Sequence, residues 1–396
     1  MIDPKEVMRR YTIEELIETA DEYYRRVADP TPLMSKPFTF LHEAPEMLQN
    51  LGFLLSGLHL GKTMSVLDFG AGTCWLSRVL TQLHCQAISV DPSRAALAIG
   101  QKLFAEHPLI GTDMYAPTFL LFDGHTIQMP DASVDRIVCF DAFHHVPNPR
   151  EVIAEFGRVL KPGGLAGFSE PGRRHSQTPQ SQYEMRNHRV LENDIDVNEI
   201  FGLAEPAGFT SLSLKLVNDM HMSLADHNVL FGAGDPSALR SEIWNQTYNA
   251  MHNRAVFFLH KGPLVADSRS HVGLAHVLRT DRTEYTVPAG QNLGITFMLE
   301  NTGAAAWLHQ NSLIFGIVRL ATHLYDEHGA LLDIDHSRHP LPADVAPGGH
   351  VTLTVEVPLP KTGACRLAFD LVAEGVTWFE NVGSTPVYVT VRRSEN

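Results

Sequence analysis

From Leu60 to about Pro171, short unbroken apolar runs alternate with segments whose apolar residues recur at helical spacing. The runs are Val66-Leu67, Ala87-Ile88-Ser89-Val90, Phe119-Leu120-Leu121-Phe122, Ile137-Val138-Cys139-Phe140 and Leu165 to Ser169. Runs of this kind predict strands buried on both faces, and their exchange with helices predicts an α/β fold around a doubly wound, mostly parallel sheet. Two helices are expected before it. Thr12 and Glu15 have capping-box spacing for a helix to about Val27. Glu43 to Leu58 carries Met47, Leu48, Leu51, Leu54, Leu55 and Leu58 on one face. Ala28 to Phe40, with Pro30, Pro32 and Pro37, is expected to be irregular. Gly172 to Glu192 is polar and breaks the alternation. Glu199 to Ala207 then reads as a helix, and Phe209 to Val217 and Arg254 to His260 as two last strands around a long insertion.

Near Gly262-Pro263 the period changes to two. Leu293, Ile295, Phe297 and Leu299 alternate with Gly294, Thr296 and Met298, and Val351, Leu353, Val355 and Val357 with Thr352, Thr354 and Glu356. Leu313 to Tyr325, Arg366 to Val372 and Val387 to Val391 are further strand candidates, with turns at Pro347-Gly348-Gly349 and Asn381-Val382-Gly383. Short strands separated by turns predict an all-β sandwich. The expected organisation is a helical extension over 1–60, a sheet domain over 61–264 and a sandwich over 265–396.

With 44% hydrophobic residues the chain has ample material for large cores, and 396 residues suit two or three domains. The net charge of −14 disfavours broad binding to nucleic acid or to an anionic membrane. Cys74, Cys85, Cys139 and Cys365 show neither metal-type nor disulfide-type spacing. A reducing, cytoplasmic setting without membrane insertion is therefore expected. The N-terminal residues carry no secretory pattern, and no apolar run has membrane-spanning length.

The chemistry concentrates at strand ends. Val66-Leu67-Asp68-Phe69-Gly70-Ala71-Gly72-Thr73 reads as a strand ending in a glycine turn, where backbone approaches a ligand closely. A third glycine of the dinucleotide fingerprint is missing, since Thr73, Cys74 and Trp75 follow. Asp68, just before the turn, suits a ligand bearing an ammonium and a sulfonium and would repel a pyrophosphate. Asp91 ends the second strand, 19 residues past Gly72 and near the spacing of a ribose-binding acid. Asp123-Gly124-His125 follows the third run, Asp141-Ala142-Phe143-His144-His145 the fourth, and Leu160-Lys161-Pro162-Gly163-Gly164 precedes the fifth.

In this order and spacing the chain resembles the class I S-adenosylmethionine-dependent methyltransferases over roughly 110 residues. The resemblance implies a doubly wound, seven-stranded Rossmann-like sheet and S-adenosylmethionine as cofactor. It places Asp68 near the methionine ammonium, Gly70, Ala71 and Gly72 along the ligand, Asp91 on ribose, and Asp123 and Gly124 at adenine, with Asp141 on the same rim. In that family an N-terminal segment often lids the cofactor; a packing extension is the equal alternative here. Asn301-x-Gly303, Trp307 and Gly375-Val376-Thr377-Trp378-Phe379 look like immunoglobulin-like modules of bacterial surface-polysaccharide enzymes and transporters. Trp307 and Trp378 suit either a sugar-stacking platform or, more commonly, an inter-sheet core.

Methylating a hydroxyl requires a base, and histidine is the usual choice. His144 and His145 lie past the fourth strand, while Glu170 and His175 follow the fifth. Four arginines between Arg173 and Arg189 suggest an acceptor that carries an anionic group. Glu170, His175, Asp194 and Asp196 have no metal-site regularity, so no metal is expected there. The expected activity is O-methylation of a sugar or polysaccharide-related acceptor. The alternatives are another small-metabolite acceptor with the sandwich serving homodimerisation, and a non-catalytic binder of glycan or partner protein.

Overall fold

The computed structural model describes residues 1–109, 115–218, 220–232, 235–311, 313–361 and 363–394. They fall into two compact units, Met1–Leu60 with Met64–Leu264, and Gly61–Thr63 with Val265–Asn396. Residues 61–63, expected with the sheet domain, cluster with the C-terminal unit because the Lys62 amide donates to the Arg269 carbonyl at 3.0 Å.

The first unit opens with helices α1 (Pro4–Arg10), α2 (Ile13–Arg25), α3 (Thr31–Met34) and α4 (Ala44–Gly57). The expected capping box at Thr12 and Glu15 starts α2. Strands β1 (Ser65–Phe69), β2 (Gln86–Asp91), β3 (Thr118–Leu121), β4 (Val134–Phe140), β5 (Leu160–Pro171), β6 (Ser211–Leu214) and β7 (Arg254–His260) form one sheet in the order β3-β2-β1-β4-β5-β7-β6. All its pairs are parallel except those of β7 with β5 and β6. Between the strands lie α5 (Trp75–Gln82), α6 (Arg94–Glu106), α7 (Pro149–Val159), α8 (Pro179–Asn187), α9 (Val197–Ala204), α10 (Leu224–Phe231) and α11 (Ser237–Asn253).

The apolar runs read as two-sided strands because both faces are covered. Val66, Val138 and Phe258 pack with Leu54 of α4, Leu58 just after it, and Leu76 and Leu80 of α5. Leu67, Ile137, Phe168 and Phe257 pack with Val152, Phe156 and Ile200 of α7 and α9 on the other side. The long polar stretch after β5 is not structureless. Thr178 accepts from the Ser181 amide and Pro179 opens α8, a start signal masked by polar surroundings. The irregular stretch expected around Pro32 contains the single turn α3.

The second unit contains β8 (Ala266–Asp267), β9 (His276–Arg279), β10 (Glu284–Pro288), β11 (Leu293–Asn301), β12 (Ala305–Ala306), β13 (Val318–Asp326), β14 (Leu331–Pro340), β15 (His350–Val357), β16 (Cys365–Ala373), β17 (Thr377–Trp378) and β18 (Val387–Ser394). One sheet runs β15-β11-β9 and another β10-β18-β16-β13-β14. Their inward residues enter a common core, where the Phe297 and Phe369 rings lie 4.6 Å apart. Trp307 is fully buried in that core, so it offers no sugar-stacking face. Trp378 is half-buried against His323, with the Arg338 guanidinium 5.4 Å from its ring centroid. The strand expected from Leu313 starts only at Val318, after a turn in which Gly316 has positive φ.

Candidate functional site

At the carboxyl end of β1 the chain reverses over two amides. Gly70 and Ala71 both donate to the Val90 carbonyl, at 2.8 and 3.1 Å. Gly70 has φ +69, and a Cβ there would lie 2.3 Å from that of Ala142, so only glycine lets the two loops meet. Asp91 ties the turn to the next helix: its carboxylate accepts from the Gly72 amide at 2.7 Å and from the Ser93 amide at 2.8 Å. Asp68 accepts from the Ser77 hydroxyl at 2.6 Å, which in turn accepts from Ser89 at 2.7 Å.

Both acids are nearly inaccessible to water. Burial pushes Asp68 up to about 7 and Asp91 up to about 6, against the hydrogen bonds that favour their charged forms. No cationic side chain contributes to either shift. Two buried carboxylates beside a glycine turn, with no cationic partner among the described residues, suit a positively charged ligand that also carries hydroxyl donors.

Asp123, after β3, is exposed and accepts from the His125 and Thr126 amides at 2.8 and 2.7 Å. Its present contacts are those of a turn acid. Gly124 has φ +94, and a Cβ would meet Ile13 of α2 at 2.6 Å. Asp141 also lies at this end of the sheet, but its carboxylate pairs with Arg254 of β7. The structure therefore brings Asp68, Gly70, Ala71, Gly72 and Asp91 together, sets Asp123 and Gly124 on the adjoining strand end, and engages Asp141 elsewhere.

Helix α2 supplies two residues that sequence reasoning missed. Asp21 accepts from the Ser93 hydroxyl and the Ala95 amide, each at 2.8 Å, and pairs with Arg25 at 2.5 Å. Its carboxylate thereby reinforces the N-terminus of α6. The Tyr24 hydroxyl lies 3.0 Å from where a Gly72 Cβ would stand. No local signal marks either, since their partners are far along the chain.

The second half of the site is a histidine–carboxylate array. Glu170, at the end of β5, is fully buried and accepts from the amides of Ala142 and Phe143 at 3.1 and 3.0 Å. It also accepts from His144 Nδ1 at 2.7 Å. Burial opposes charge on Glu170, but the His144 bond and the amides outweigh it and hold the carboxyl below its ordinary range. His144 is raised in turn, since the Glu170 bond outweighs desolvation. Glu170 is thus a positioning group within the protein, with no free face for an acceptor.

Glu192, not singled out from sequence, joins the three histidines. Its Oε2 lies 2.5 Å from His175 Nε2 and 3.9 Å from His144 Nε2, and its Oε1 lies 3.8 Å from His145 Nδ1. The His144 ring centroid is 3.9 Å from that of His145 and 4.8 Å from that of His175. His145 is partly exposed and donates from Nδ1 to the Leu191 carbonyl at 2.6 Å. Desolvation, and then the charge of His144, hold His145 below the ordinary histidine range.

The cation set considered from sequence does not assemble. Asp194 accepts from the Ser176 amide and hydroxyl, and Asp196 pairs with Arg173 and caps α9. Each carboxylate is thus engaged by the segment that follows β5. Of the arginines, Arg173 is neutralised by Asp196 and Arg189 lies over the Tyr11 ring.

Residues 67–168 match a family described as a methyltransferase domain, so the chain carries such a domain. Rattus norvegicus thiol S-methyltransferase TMT1B is 33% identical over 108 residues, 27% of this chain and 41% of that protein. The ubiquinone biosynthesis O-methyltransferase of Pseudomonas fluorescens (strain SBW25) is 31% identical over 104 residues, 26% of this chain and 43% of that protein. The chain spans about half the length, or less, of the curated relatives it matches. Among solved structures, Haemonchus contortus phosphoethanolamine N-methyltransferase 2 with S-adenosylhomocysteine is 15% identical. That match has a TM-score of 0.44 and covers 64% of this chain and 61% of the other.

Proposed function

We propose that this protein is an S-adenosylmethionine-dependent methyltransferase whose acceptor is a hydroxyl or thiol. The observation that carries the cofactor assignment is the pair of buried acids, Asp68 and Asp91, at a glycine turn without cationic partners. Asp91 would take the ribose hydroxyls, Asp68 the cationic methionine end, and the Gly70-Ala71-Gly72 backbone the edge between them. Asp123 and Gly124 would border adenine, under α2. S-adenosylmethionine supplies an electrophilic methyl group on a sulfonium.

On the acceptor side the chain's own task is alignment and removal of one proton. Glu192 holds His175 through Nε2, which leaves Nδ1 as the lone-pair nitrogen to receive the acceptor's proton. The acceptor's X–H proton would pass to His175, and bound cofactor would supply the methyl group for X–CH3, keeping the bonding electrons on its sulfur. Relatives named for thiol S-methylation and ubiquinone O-methylation support a nucleophile that must lose a proton. Within the oxygen class, a sugar or polysaccharide-related hydroxyl is the acceptor favoured by the immunoglobulin-like reading of the second unit.

The test is calorimetric titration with S-adenosylmethionine, followed by turnover on nucleotide sugars, phenols and thiols. Asp91→Ala should weaken cofactor binding by about 1 kcal/mol or more, the scale of a charge-assisted hydrogen bond. His175→Ala should abolish turnover while cofactor affinity stays put. Absence of cofactor binding in the unmodified protein overturns the assignment, and full turnover by His175→Ala overturns the choice of base.

A further inference from the structure

The geometry points to a divalent transition-metal site formed by His144, His145 and Glu192. One ligand atom from each lies within 4.8 Å of the others. That is compact enough for small side-chain adjustments to close around an ion bound at about 2.0–2.2 Å. One imidazole is oriented by a partner of the kind metal sites use. His144 donates from Nδ1 to buried Glu170, leaving Nε2 toward Glu192. The His145 nitrogen beside Glu192 is Nδ1, 3.8 Å from Oε1 and 2.6 Å from the Leu191 carbonyl, so on ligation Nδ1 exchanges the carbonyl for the ion. The carboxylate behind His144 fixes its tautomer and ring orientation and raises its basicity as a ligand. Glu192 is held by His175 on Oε2.

Glu170 is itself held by backbone amides from residues 142 to 144, so the support is built into the β4 and β5 ends. Two imidazoles and one carboxylate form a nitrogen-rich set. It disfavours magnesium and calcium, which prefer all-oxygen shells, and suits zinc, cobalt or ferrous iron. Three protein ligands leave coordination positions free, the arrangement of a catalytic rather than a structural site. The bound ion would coordinate the acceptor's oxygen or sulfur and lower its pKa, easing the proton's transfer to His175. That last role rests on the methyltransferase reading; the site itself does not.

The experiment uses full-length protein treated with chelator and checked by circular dichroism. It is titrated with Zn2+ by calorimetry and with Co2+ by visible absorption. One equivalent should bind saturably, with a cobalt d–d band of low-symmetry, nitrogen-containing coordination. His145→Ala replaces the partly exposed ligand, so the fold should tolerate it, and saturable binding should be lost. Glu192→Gln should lose it as well. Glu170→Gln should weaken binding by about 10–100-fold, the usual cost of removing a partner behind a ligand. No stoichiometric Zn2+ or Co2+ binding by the unmodified protein, or unchanged binding by His145→Ala, overturns the site. S-adenosylmethionine titrations on the same samples separate the two readings. Lost cofactor binding with intact metal binding would sink the methyltransferase assignment alone, and the reverse would sink the metal site alone.

Discussion

Asp68 shows how one side chain can carry opposite consequences for stability and for binding. Its folded-state pKa of about 7 exceeds the ordinary 3.8 because burial disfavours its charge. The folded protein therefore holds this proton more readily than the unfolded chain. The favourable contribution is complete below about pH 4 and is lost as pH rises through about 7. Asp68→Asn should raise the thermal midpoint at pH 8, by an amount equivalent to about 1–4 kcal/mol at 1.4 kcal/mol per pKa unit. The gain should vanish below about pH 4. A cationic ligand favours the ionised form, so cofactor affinity should rise between about pH 6 and 8 in the unmodified protein and rise less in Asp68→Asn, where Asp91 alone of the two still titrates. A pH-independent affinity in both would place the ligand's charge elsewhere. Asp68 and Asp91 were visible in sequence because strand-end acids sit at fixed offsets from a glycine turn. Glu192 was not, because a bond to His175, 17 residues away, and contacts with the His144-His145 pair have no local periodicity.

At the scale of elements, α2 is the part whose role the sequence left open between lid and packing extension. It is fastened at two places. Asp21 caps α6, and Leu16 joins Val7, Met185 and Leu191 in a small apolar cluster with α1, α8 and the segment bearing Glu192. The Gln182 side chain also bonds both the amide and the carbonyl of Ile2. The N-terminal helices thus touch the walls of both the glycine turn and the histidine array. Asp21→Ala leaves a Ser93 hydroxyl and an Ala95 amide without their acceptor, at about 1–3 kcal/mol. Hydrogen exchange should quicken across α2 and the first turn of α6, and S-adenosylmethionine should bind more weakly. Unchanged exchange and unchanged affinity would reduce α2 to packing. The helix itself was legible from its capping box, whereas α8, α10 and α11 were hidden in polar or insertion-like stretches where burial is slight.

Each unit of the whole molecule has its own core, and the residues assigned to cofactor and acceptor all lie in the first. In the second, His276 and Asp370 form a fully buried ion-pair geometry at 2.5 Å, and Asp370 also accepts from the Glu380 amide. Asp370→Ala leaves buried His276 and the Glu380 amide without their acceptor and should cost about 1–3 kcal/mol in the second unit. The expected readout is an early partial unfolding transition with S-adenosylmethionine affinity unchanged. A chain ending at Leu264 should likewise retain cofactor binding; loss of binding would show that the second unit completes the first. The period-two pattern of β11 predicted its burial residue by residue, whereas β14, with no buried residue, had no such pattern to read.

Local chemistry in the chain was enough to establish the alternation of strands and helices, the change to an all-β region, and the glycine turn with its acids. Those features depend on neighbours within a turn or a strand, so pattern and spacing encode them. Only the tertiary structure decided what the polar residues do. It turned Glu170 into the buried anchor of His144, tied Asp194 and Asp196 to Ser176 and Arg173, and placed Glu192 among three histidines. Such convergence depends on the ends of β4 and β5 lying side by side, a consequence of sheet pairing that no single segment carries.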